Sequence, residues 1–95
     1  MPMSHQIITI NDATPTIVTN DGDTTPNNLT ISIQNLSADS KEVYLGDNSV
    51  SSSSFGFKLP ADGTVIFENL RKSTEIYAIS EDGEIDLAIM RFVFS

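Results

Sequence analysis

Ninety-five residues make one domain with a thin core, since a chain of this mass is expected to bury only about 64% of its unfolded surface. Cysteine is absent, which excludes disulfides and thiolate metal sites as reinforcement. Thirteen acidic residues against five basic ones leave a net charge of −8, a surface that repels phosphate backbones with no basic stripe to interrupt it, so no nucleic acid is expected as a partner.

The chain opens with "MPMSHQIITIN". No basic segment precedes an apolar run there, so it does not read as a signal peptide. Nor does any stretch approach the ~20 apolar residues of a spanning helix, and no membrane is expected as a partner. Two short β-rich runs follow, over 6–11 and 15–19, and then the turn-rich "NDGDTTPNN" of 20–28. Residues 1–28 are expected to form an N-terminal arm or an extra hairpin, with strands that pair elsewhere favoured. A β-sandwich module is expected over 29–95.

From Asn28 the period-two alternation is clean. "NLTISIQN" puts Leu29, Ile31 and Ile33 on one face, with Thr30, Ser32 and Gln34 on the other. "KEVYLG" turns Val43 and Leu45 inward and Tyr44 outward, and "SFGFKL" sets Phe55, Phe57 and Leu59 inward. "PADG" reads as a hairpin loop, with Pro60 presetting the turn and Gly63 at a left-handed position. "TVIFEN" then points Val65 and Phe67 inward. The last hairpin is centred on Asp82-Gly83, a strong two-residue turn signal. It predicts the facing pairs Ile76–Ile89, Ala78–Leu87 and Ser80–Ile85 on one side, and Tyr77–Ala88 and Ile79–Asp86 on the other. No helical periodicity of useful length is present. About seven to eight short strands at turn spacing predict an all-β fold, an antiparallel β-sandwich or small barrel.

Few residues offer chemistry. Nucleophilic catalysis needs a base beside the nucleophile, and the single histidine, His5, lies in the N-terminal stretch. Ser51 to Ser54 carry no nucleophile-elbow pattern, and such a run more often marks a solvated loop. The carboxylates of "NDGD" (Asn20, Asp21, Asp23) and "EDGEID" (Glu81, Asp82, Glu84, Asp86) are oxygen donors of the kind Ca²⁺ takes, but neither fits the twelve-residue EF-hand loop. Turn residues are the favoured reading, and a glycosidase-type acid pair would need a cleft that nothing here demands. No enzyme activity, no metal and no cofactor are expected.

The stretch from "VYLGDNSV" through "GFKLPADGTVIFENL" to "IYAISEDGEIDLAI" resembles a β-module of tailed-bacteriophage virion structural proteins, of the head-decoration, head-fibre or tail-accessory type. In such modules a "VYLG" strand precedes a variable loop, an "L-x-x-G" hairpin and a "YAIS-x-x-G" hairpin. The matching positions are Val43, Tyr44, Leu45, Gly46, Leu59, Gly63, Tyr77, Ala78, Ile79, Ser80 and Gly83, within residues 29–92. Residues 1–28 have no counterpart in that pattern.

The resemblance implies a capsid decoration (cement) protein, assembled in the host cytoplasm and bound to the major capsid protein on the outer surface of the head. Alternatives are a head-fibre or tail accessory protein, or a carbohydrate- or Ca²⁺-binding β-sandwich, for which Tyr44 and Tyr77 are the aromatic candidates in a chain without tryptophan. A homo-oligomer or contacts with neighbouring virion subunits are expected. The apolar second face of the last hairpin, Tyr77, Ile79, Ala88, Met90, Phe92 and Phe94, is the candidate interface.

Overall fold

The structure, a computed structural model, describes residues 3–19, 28–37, 40–51, 53–71 and 74–93. Its strands are β1 (Met3–Ile10), β2 (Thr16–Ile17), β3 (Leu29–Asn35), β4 (Val43–Gly46), β5 (Phe57–Leu59), β6 (Thr64–Leu70), β7 (Tyr77–Ser80) and β8 (Ile85–Val93). They build two four-stranded sheets of order β1-β8-β3-β6 and β2-β7-β4-β5, with antiparallel neighbours throughout. The alternation thus predicts the all-β class correctly, and the result is a small sandwich. The core lies between the sheets. Ile10, Leu29, Ile31, Ile33, Ile85, Leu87 and Ile89 enter from the first sheet, and Val43, Leu45, Leu59 and Ala78 from the second. β3 shows the rule at its clearest, with Leu29, Ile31, Ile33 and Asn35 buried and the residues between them turned outward.

The N-terminal segment is integral to the sandwich. β1 lies along β8 from Met3↔Phe92 to Ile10↔Ile85, and β2 pairs with β7, so these strands are neither a free arm nor a hairpin with each other. Ile10 and Val18 are fully buried, so this region supplies core side chains despite its polar composition.

Three sequence-based expectations need correction. The 76–92 segment is not a hairpin, because β7 pairs with β2 and β4 while β8 pairs with β1 and β3. The rows that hold Ala78 and Leu87 do face each other, but across the core and not along a ladder. Period-two alternation reports which side of a strand is buried and carries no information about which sheet the strand joins. The Asp82-Gly83 turn is instead a corner between sheets. Gly83 takes the left-handed conformation, φ 69°, its N–H donates to the Asp12 carboxylate at 3.1 Å, and the Ser80 hydroxyl donates to its carbonyl.

The second correction concerns "PADG", which also joins strands of different sheets. Its left-handed residue is Asp62, φ 60°, and Gly63 is required for space, since a Cβ there would lie 2.9 Å from the Pro60 carbonyl oxygen. The third is β5, where only Leu59 reaches the core. Gly56 donates to the Leu45 carbonyl at 2.8 Å ahead of the strand. Phe55 lies outside the strand and stacks on Tyr44, ring centroids 4.8 Å apart, and Phe57 remains 41% exposed at the sheet edge. Val65, Phe67 and Ile76 pack against the core from its margin.

Two buried polar side chains tie the sandwich together at places the alternation does not announce. Asn35, fully buried at the end of β3, donates to the carbonyls of Lys41 at 2.9 Å and Leu59 at 3.1 Å. Its side-chain oxygen accepts from the Ser37 N–H at 2.9 Å. Arg91 occupies the inward row of β8 and donates to Gln6 Oε1 at 2.6 Å and to the Val18 carbonyl at 2.9 Å.

Candidate functional site

Strand register decides where each expected interface residue sits. On the outer face of the first sheet, β1 contributes His5 and Ile7, β8 contributes Ala88 and Met90, β3 contributes Ser32 and Gln34, and β6 contributes Thr64 and Ile66. His5, Met90, Ser32 and Ile66 form one row across the sheet, and Ile7, Ala88, Gln34 and Thr64 form the next. Phe92 follows in the row of Thr30 and is half-buried. Ile7 is 65% exposed, Ile66 60% and Met90 40%. Beside Ile7 and Met90 lies a shallow depression of about 300 Å³, whose lining includes His5, Ile7, Ser32, Gln34, Ala88 and Met90. These two rows hold no carboxylate. Asp86 stands at one end, where it accepts from the Thr9 hydroxyl at 2.6 Å, and Glu68 lies further along β6. In a chain of net charge −8, a face whose two rows carry four apolar side chains and no carboxylate is a local departure from the average surface.

Tyr77 and Ile79 lie on the opposite side of the molecule. They belong to the outer face of the second sheet, where they pack with Tyr44 and Val50 in a small cluster of their own. The six-residue interface expected from a single hairpin face is therefore split. Ala88, Met90 and Phe92 share one outer face, Tyr77 and Ile79 share the other, and Phe94 lies outside the described residues. Ile7 and Ile66, which complete the first face, come from strands whose adjacency no local pattern encodes.

The serine-rich loop between β4 and β5 covers the Tyr77 side. Val50 is 3% exposed and presses on Gly46, where an added Cβ would meet Val50 Cγ2 at 3.1 Å. Ser51 and Ser54 exchange backbone hydrogen bonds at 2.8 and 3.2 Å. The loop is thus a lid with an apolar anchor, in which Val50 covers the sheet. Tyr44, buried under Val50 and Phe55, offers no open ring for sugar stacking. The start of the loop is held by Asp47, whose carboxylate accepts from the Ser49 hydroxyl at 2.6 Å and the Ser49 N–H at 2.9 Å. These bonds hold its carboxyl below the ordinary value of 3.8, the hydroxyl bond having the largest effect. A depressed folded-state value means the hold is complete above the ordinary value and is lost as pH falls through the lower one. The amide resonances of Ser49 and Val50 are expected to stay unchanged from neutral pH down to about pH 4 and to shift together in stronger acid. Titration of both amides well above that range would contradict the arrangement.

The remaining chemical candidates are dispersed. His5 sits on the outer face of the first sheet, away from Ser51, Ser53 and Ser54, which belong to the loop beside the second. Asp82 makes an ion pair with Lys41 at 3.8 Å, Glu81 accepts from the Glu42 N–H at 2.8 Å, and Asp21 and Asp23 lie outside the described residues. Among the described residues no group of three or more His, Cys, Asp or Glu side chains is placed to hold a metal ion, and no helix is long and apolar enough to cross a membrane. Comparison of the chain with protein-family models, with curated proteins and with solved structures finds no match.

Proposed function

We propose that the protein is a structural component of a tailed-bacteriophage particle, a decoration protein that attaches to the major capsid protein on the outer surface of the head. It does so through the outer face of the β1-β8-β3-β6 sheet. The observation that carries this reading is the carboxylate-free pair of rows on that face, with Ile7, Ile66 and Met90 exposed on three different strands. A rigid sheet presents them in fixed geometry, so little ordering cost accompanies their burial. A specific interface buries about 1,200–2,000 Å² in total, an area for which this face is the natural centre. The acidic remainder of the surface then faces solvent, where net charge keeps neighbouring copies apart. The resemblance of the 43–89 region to virion β-modules supplies the choice of partner.

Particles assembled with Ile66→Lys plus Met90→Lys protein are expected to lose at least about tenfold in occupancy, equal to about 1.4 kcal/mol. The variant itself should fold normally, because both side chains point outward. Tyr77→Asp, by contrast, is expected to loosen the 47–56 lid and leave attachment largely intact. Full occupancy by the folded double variant would refute the assigned face. Localisation of the native protein to tails would favour the tail-accessory alternative.

A further inference from the structure

A second recess opens at one end of the sandwich, between the sheets, independent of the face assigned above. Its walls are Leu45 and Phe57 from the β4–β5 hairpin, Phe67 from β6, and Ile76 just before β7, around a volume of about 320 Å³. That is within the range of small ligand pockets, roughly 300–1,000 Å³. The opening exists because β5 is only three residues long, so the second sheet ends before it can cover Phe67. Phe57 and Phe67 meet edge-on with ring centroids 6.3 Å apart, and Phe57 stays 41% exposed. Two carboxylate residues, Asp47 and Glu75, complete the lining, and none of the residues that line the recess is basic. Asp47 is held in place by Ser49, as described above.

We propose that this recess receives an arginine side chain presented by a loop of a protein partner, its methylene stem against Leu45 and Ile76 and its guanidinium between the phenylalanine rings and the two carboxylates. Several features select that occupant. A purely apolar side chain would make no use of the two acidic residues at the recess. An acidic one would be repelled by them and by a net charge of −8, which also disfavours a second copy of this chain. A guanidinium is planar, stacks on aromatic faces and pairs with carboxylates, and its stem is apolar, so it matches all three chemical features of the recess. Lysine satisfies the charge but lacks the planar stacking surface.

The test is an NMR titration of the full chain with a capped Gly-Ser-Leu-Arg-Ser-Gly peptide, compared with the same peptide carrying citrulline, a neutral isostere, in place of arginine. The arginine peptide is expected to shift the amides of Gly46, Gly56 and Phe57 saturably. The citrulline peptide should bind at least about fivefold more weakly, the scale of a single carboxylate pairing at a partly exposed site. Glu75→Gln, an exposed substitution that should not disturb folding, is expected to narrow that difference. Equal affinity for the two peptides, no saturable shift, or shifts confined to the face of Ile7 and Met90 would overturn the proposal. The first two outcomes leave attachment through that face untouched, so the two readings fail separately.

Discussion

Leu87→Ala is expected to lower the unfolding free energy by about 3–5 kcal/mol, while Phe57→Ala lowers it by only about 1 kcal/mol. Leu87 is fully buried on a strand with hydrogen-bonded neighbours on both sides, paired with Ile8 on β1 and Asn35 on β3. Truncation there leaves a cavity that two flanking strands prevent from collapsing. Phe57 stands at the end of the sheet with 41% of its surface in water, so its loss removes less buried area and leaves an open hollow. From the sequence alone the phenylalanine looks the more costly of the two, being larger and equally well placed in its alternation. For a domain with a total stability of about 5–15 kcal/mol, the leucine variant approaches the limit of folding. Urea denaturation with an unchanged slope measures both. Equal costs would mean that Phe57 is a core residue.

A similarly large effect is expected at a polar position. Asn35→Ala removes two donated hydrogen bonds and one accepted bond, leaving buried groups without partners at a cost of about 2–4 kcal/mol. The residue also receives backbone bonds from the neighbouring corner. Its N–H donates to the Gly63 carbonyl and its carbonyl accepts from Asp62, each at 3.0 Å. Loss of the side chain therefore loosens Ser37 and Lys41 and the Pro60–Gly63 corner together. Asn35→Asp should be worse near neutral pH, because a carboxylate would face two carbonyl oxygens in a dry site. Burial raises the carboxyl's folded-state value above its unfolded one, so this variant should regain stability as pH falls. Denaturation of both variants at neutral and mildly acid pH checks the pair of expectations. An aspartate variant as stable as the parent at neutral pH would show that the site is wet.

The inward rows were legible because burial imposes a period of two wherever a strand has one covered side, as Leu29, Ile31 and Ile33 show. The pairing was not, because a corner between sheets and a tight hairpin ask for the same turn residues. Gly83 with a positive φ serves either. Alternation alone therefore groups Tyr77 and Ile79 with Ala88 and Met90, whereas the two sets lie on opposite sides of the sandwich. The same alternation turns Ile79 outward, yet the β4–β5 loop carries Val50 over it. Exposure there depends on a contact between a loop and a sheet face, which no local pattern contains. Ile7 and Ile66, distant in the chain, come to share a face with Met90 only through the order β1-β8-β3-β6. The recess of Phe57 and Phe67 likewise arises from the shortness of β5, a three-dimensional gap with no sequence signature.

The central place of β8 has a consequence for how the molecule comes to exist. Nothing can hold β1 to β3 until the strand between them has been made, and that strand is Ile85–Val93. A chain growing on the ribosome can pair β3 with β6 as soon as Thr64–Leu70 has emerged, but must carry β1 without its ladder partner until Ile85–Val93 follows. Folding then proceeds by zipping distant segments together, in the slow regime of all-β domains, roughly milliseconds to seconds. During that interval the acidic composition has a second use, because mutual repulsion discourages the exposed strands of neighbouring nascent chains from pairing with one another.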